Sequence, residues 1–188
     1  MDFGRRTELF FIASAVAMIA CPTGIAGCGN CPKLWTGFRN HCYRFFSHEL
    51  NWLAAENFCR SFTVPSLGEW GEVTRTRSGH LVSIHSQPEQ DFVTALYESS
   101  RKKGDEYAGH WFGLHDTSTD GTFEWTDGTP VDFTHWKPGQ PDNYPNHVGN
   151  ENCGVMRSHS GSQWKDGRCV QPSDSAIIHY FICKTPSL

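Results

Sequence analysis

The 188-residue chain has no Asn-x-Ser/Thr sequon, no excess of positive charge, and only one long apolar run. Without a sequon, N-linked glycosylation is not expected. Sixteen Lys and Arg stand against twenty Asp and Glu, a net charge of −4, so the chain lacks a basic footprint for nucleic acid. Nucleophile motifs and zinc-ligand spacings are missing as well. Ten His and twenty acids guarantee accidental His–acid neighbours, and the His–Ser proximity around His159 is loop composition rather than a triad. The chain does not read as an enzyme.

The single apolar run, Leu9 to Ala20, follows Arg5 and Arg6 and leads into small residues through Gly27. That layout predicts a secretory signal peptide over residues 1–26. Pro22 and Gly24 cut the run short of the ~20 residues a membrane span needs. The mature protein is expected to be soluble, secreted and extracellular.

Eight cysteines in a secreted chain read as an oxidised set. Cys21 leaves with the signal, and the remaining number is odd. "CGNC", Cys28 to Cys31, has redox spacing but no strand–helix context. Cys31 is therefore assigned to the domain and Cys28 to a short tail, residues 27–30. Left over in this way, Cys28 is a candidate for pairing with another chain, giving a disulfide-linked homodimer.

With aromatics at 13% and seven Trp, one well-packed core is within reach. "CPKLWTGFRNHCYRFF" reads as two aromatic runs around the turn-like Thr36 and Gly37, with Cys31 and Cys42 spaced to staple a hairpin. Trp52, Ala55, Cys59 and Phe62 form the stripe of an amphipathic helix, with Ser47 as its N-cap. A second helix follows "HLVSIHS". Ser86 and Glu89 have capping-box spacing, and Phe92, Val93, Leu96 and Tyr97 make one apolar face. Beyond the stop signals at Arg101 to Gly104, "HWFGL", "TFEWTDG", "CGVMR" and "IIHYFIC" are strand-like. The expected class is α+β, with two helices and mainly antiparallel sheets. A long polar region, roughly Asp127 to Glu151, interrupts the strands, and such loops are usually functional. Cys153 and Cys169 could pin its base, and Cys59 with Cys183 could tie the ends of the domain, although six cysteines allow about fifteen pairings.

"AAENFC", "HLVSIHS", "WFGL", "WKPGQPDN", "ENC", "WKDGRC" and "FIC" occur in the order found in C-type lectin domains, and the chain resembles that family from Cys31 to Cys183. The resemblance implies a long-form domain over residues 31–184, followed by a tail at 185–188. It also implies the bridges Cys31–Cys42, Cys59–Cys183 and Cys153–Cys169.

In sugar-binding members of the family the long loop holds a calcium ion, and two sugar hydroxyls coordinate the same ion. Calcium takes six to eight oxygens, so a protein can supply some and leave places for the sugar. Carried over residue by residue, the ligands would be Gln140, Asp142, Glu151 and Asp166, with a cis peptide before Pro141. The amide-then-acid order of Gln140 and Asp142 resembles the galactose type, which implies glycans ending in galactose or N-acetylgalactosamine. Tyr144 could stack on the apolar face of such a sugar or could anchor the loop. His147 is better read as merely exposed than as a rim contact.

Two departures from the family pattern stand out. Where the family has Trp-Asn-Asp, this chain has Trp164-Lys165-Asp166, and lysine has no acceptor atom. An ammonium about 4 Å from a divalent ion would be repelled by roughly 8 kcal/mol at intermediate dielectric, which swinging into water would relieve. Lys165 thus favours an alternative function, a calcium-independent lectin-like protein that binds a protein or mineral surface. The second departure is an insertion over about residues 61–79, read as a loop from Pro65, Gly68 and Gly71. Its Trp70 could contact a partner or cover the domain, and a gene-model error is a third reading. An auxiliary calcium site is also implied, with Asp116 and Asp120 in family positions. Asn143 and Asn152 stand there in place of carboxylates, which lowers the charge and the affinity.

Overall fold

A computed structural model describes residues 31–67, 69–104, 109–144, 150–157, 161–169 and 179–188. The expected signal peptide, Cys28 and His147 lie outside them. β1 (Thr36–Phe38) and β2 (His41–Leu50) form the expected hairpin. Its turn falls at Arg39, which has φ 50°, so Thr36 and Gly37 belong to the first strand instead.

α1 (Trp52–Arg60) is capped by Asn51, whose side chain accepts from the Ala54 N–H at 2.8 Å. Ser47 is not the cap, because β2 runs on to Leu50, where it still pairs with His179 of β10 (His179–Pro186). α2 (Gln87–Ser100) begins after Ser86 as expected, but the Ser86 hydroxyl is buried without a partner. The Glu89 half of the box is filled one residue earlier, where its carboxylate accepts from the His85 N–H at 2.9 Å.

The insertion is not a loop. β3 (Thr63–Leu67) and β4 (Val73–Ser78) pair as a two-stranded antiparallel ribbon. Thr63 and Val64 of β3 and Val73, Thr74 and Thr76 of β4 are β-branched and favour strands on both sides of the Gly-containing turn. Pro65 is tolerated because both strands of a ribbon are edges. The Gly79 N–H donates to Phe62 O at 2.7 Å and closes the base of the ribbon.

The main sheet has the order β1-β2-β10-β6-β8-β9, with β6 (Gly109–His115), β8 (Cys153–Arg157) and β9 (Trp164–Gly167). β5 (His80–Leu81) joins β10, and β7 (Glu124–Trp125) joins β6. Its ladders are antiparallel except for β10 with β6. Successive strand residues point to opposite faces, and this builds two cores. Phe112, Tyr180 and Ile182 pack with Val93 and Tyr97 of α2. Trp111, Phe181 and Cys183 pack with Trp52, Ala55 and Cys59 of α1. At Gly154 the sheet has no room for a side chain, since a Cβ there would lie 2.5 Å from the Phe112 ring. The three expected disulfides, Cys31–Cys42, Cys59–Cys183 and Cys153–Cys169, are formed.

Candidate functional site: an acidic cluster at the long loop

The polar loop is held against β9 by its own backbone. Trp164 N–H donates to His135 O at 2.8 Å, and Lys137 N–H donates to Trp164 O at 2.9 Å. The Trp136 and Trp164 rings meet edge to face at 5.7 Å. A turn follows, in which Gln140 N–H donates to Lys137 O at 2.9 Å. Pro138 presets its first corner, and Gly139, at φ 83°, supplies the positive φ of the second. The Gln140–Pro141 peptide is cis. The chain thereby reaches Asp142 beside Asp166, which lies two residues beyond Trp164 on β9.

Asp142, Glu151 and Asp166 each bring a carboxylate oxygen within 4.8 Å of the others. Asp166 is fully buried and accepts from the backbone N–H groups of Asn143 at 2.6 Å and Asp142 at 3.3 Å. Glu151 Oε2 and Gln140 Oε1 are buried and accept no hydrogen bond. Burial raises the pKa of Glu151, and the negative charges of Asp166 and Asp142 add to that, against the opposing pull of Lys165. Burial likewise raises Asp166, outweighing its backbone donors. Crowded carboxylates with unpartnered oxygens suit a hard divalent cation, and the residues present fit calcium on that chemistry.

Lys165 does not swing clear of the cluster. Its Nζ lies 3.9 Å from Glu151 Oε2, too far for a hydrogen bond but close enough for ion pairing. Tyr144, at the rim, is 59% exposed.

The auxiliary set is brought together differently. Asn143 Nδ2 donates to Asp120 Oδ1 at 2.7 Å, and Asn152 Nδ2 donates to Asp116 Oδ1 at 2.9 Å. Asp116 Oδ2 also accepts from the Gly121 N–H at 2.8 Å, and Asn143 Oδ1 accepts from the Glu151 N–H at 3.0 Å. The amide substitutions thus supply donors to the carboxylates, and a cation there would require both amides to turn.

Sequence reasoning missed the network that fixes the start of the loop. Lys184 Nζ donates to Glu89 Oε1 at 2.7 Å and to Ser83 O at 3.0 Å. Ser83 Oγ donates to Asp127 Oδ2 at 2.5 Å, and Asp127 also accepts from the Thr129 N–H at 3.0 Å. His85 reaches Asp132 at 2.8 Å. Only an odd lysine after Cys183 hinted at it, since the partners lie far apart in sequence.

The Lectin C-type domain family model matches residues 71–185. Echinoidin of Heliocidaris crassispina is 45% identical over 158 residues, covering 84% of this chain and 98% of its own. The C-type lectin CEL-I of Cucumaria echinata superposes with a TM-score of 0.67 at 32% identity, covering 82% of this chain and 96% of its own. The cow carbohydrate-recognition domain of CD23, solved in the presence of a GlcNAc2Man3 oligosaccharide, gives a TM-score of 0.63 at 29% identity, covering 86% of this chain and 99% of its own. The family consists of non-enzymatic carbohydrate-binding proteins whose domains generally bind calcium. With this fold, these three disulfides and this loop, the chain belongs to the C-type lectin domain family.

Proposed function

We propose that the protein is a secreted, calcium-dependent lectin that binds glycans ending in galactose or N-acetylgalactosamine. The observation that carries this reading is the convergence of Asp142, Glu151 and Asp166 within 4.8 Å, next to unpartnered oxygens on Gln140 and Glu151. Gln140, Asp142, Glu151 and Asp166 would hold the ion and the sugar hydroxyls together, with Tyr144 against the apolar face of the ring. Bound calcium supplies the positive charge that two neighbouring hydroxyls coordinate. The galactose preference rests on the Gln140–Pro141–Asp142 order. Secretion rests on the N-terminal run and the disulfide set. Among the described residues, no helix is long and apolar enough to cross a membrane.

The second reading, a calcium-independent protein that binds a protein or mineral surface, draws on Lys165, whose ammonium already lies against Glu151. Calorimetry separates the two. Calcium is titrated first, and galactose is then titrated with and without it. Galactose binding only in the presence of calcium supports the lectin, and no heat from either ligand favours the second reading.

A further inference from the structure

Between the inserted ribbon and the main sheet lies a cavity of about 350 Å³, within the range of small-ligand sites. Arg75 and Arg77 line it from β4, Lys184 and Thr185 from β10, and His41 and His80 from β2 and β5. None of the acidic cluster's residues takes part.

The two arginines are two residues apart on one strand, so they share a face. Their cross-strand partners are Ser66 and Val64, which offer no counter-charge. Both are exposed, and neither guanidinium has a hydrogen-bond or ion-pair partner among the described residues. Three of the other ionisable groups on the wall are already engaged. Lys184 is held by Glu89 at 2.7 Å, His80 by Glu56 at 2.8 Å, and the one acid on the wall, Asp127, by Ser83 and Thr129.

Thr185 lines the same wall but is 2% exposed with its hydroxyl closed off from solvent, so it shapes the wall rather than meeting a ligand. The ribbon is also not free to drift. Its base is closed by Gly79 and Phe62, and Gly79 packs so tightly on Thr185 that a Cβ would lie 2.7 Å from Thr185 Cγ2.

Two unengaged guanidiniums on one strand face are groups suited to an oxyanion, because the planar fork matches two oxygens at once. In a carbohydrate-binding family, an oxyanion comes on sugar as a sulfate ester or a uronate carboxylate. We propose that the Arg75–Arg77 cavity is a second glycan site that takes the oxyanion of an acidic saccharide without calcium. It rests on the family's carbohydrate binding and not on the galactose reading of the loop.

The test immobilises chondroitin sulfate, its chemically desulfated form (which retains the uronate) and a neutral galactan, and measures binding of the mature protein in EDTA. Binding to the sulfated chain alone identifies a sulfate site, and equal binding to both acidic chains identifies a carboxylate site. In either case Arg75→Gln/Arg77→Gln should weaken binding by about tenfold or more. Lys102→Gln/Lys103→Gln, the same charge change elsewhere, should leave binding intact. No binding to either acidic chain in EDTA overturns the proposal, as does an equal loss in both double variants. The Arg75→Gln/Arg77→Gln protein should keep any calcium-dependent galactose binding, so failure at one site is read separately from failure at the other.

Discussion

The Lys184 ammonium donates to Glu89 Oε1 at 2.7 Å, with both side chains 6% exposed, and so joins the last strand to the second helix. Tyr43 OH donates to the same oxygen at 2.6 Å. Removing one partner of such a pair leaves a buried charge uncompensated. Lys184→Met should therefore cost about 3–5 kcal/mol, read as a lower denaturant midpoint at unchanged slope. A loss below about 1 kcal/mol would show that the pair does not bear on stability.

Acid should unfold the domain in two overlapping steps. Burial holds the fully enclosed His110 down at about 3 and His179 at about 4, so both stay neutral in the fold. Their folded values lie below the unfolded one, so stability falls as pH drops below about 6.5, by about 1.4 kcal/mol per pH unit for His110. Burial alone would raise Glu89, but Lys184, Tyr43 and the His85 N–H hold it below its ordinary value. Its contribution is present above the unfolded carboxylate pKa and is lost as pH falls through the lower, folded one. Thermal melts from pH 7 to about 2 check this, and His110→Leu should flatten the upper part of the curve. Parallel curves for variant and wild type would contradict the assignment.

Replacing Lys165 by Asn should tighten calcium. The substitution removes an ammonium 3.9 Å from Glu151 Oε2 and restores an amide oxygen. One regained ligand corresponds to about one or two tenfold steps in Kd, each worth about 1.4 kcal/mol. If the wild type binds galactose without calcium and Lys165→Asn abolishes that binding, the ammonium is itself a sugar contact.

Exchanging Gln140→Glu together with Asp142→Asn reverses the order of amide and acid around the cis peptide. Glycan preference should move from galactose toward mannose, as read on a glycan array in calcium. An unchanged profile would remove this loop as the sugar site.

Cys28 should link two chains. A dimer on non-reducing gels that is lost in Cys28→Ser bears this out, and a wild-type monomer under the same conditions rules it out.

Much of the architecture was written in local patterns. The stripes of α1 and α2, the aromatic strand runs and the cysteine spacings lie within short windows, where the periodicity of helix or strand is visible directly. The family motifs carry the three disulfides and the loop residues in one ordered pattern.

Most of what the sequence left open depended on partners far apart in the chain. Ser47 looked like a cap until the ladder between β2 and β10 carried the strand past it to Leu50. The insertion is the exception, a local hairpin whose Pro and Gly read as loop although β3 and β4 pair across a short turn. The composition and order of the acidic loop were determined by sequence alone. Tertiary structure decided that Asp166 receives the Asp142 and Asn143 amides, that Lys165 leans on Glu151, and that Arg75 and Arg77 face a cavity. The physical reason is range: helix and strand periods repeat within a few residues, whereas burial, desolvation and charge pairing join side chains that only the folded chain brings together.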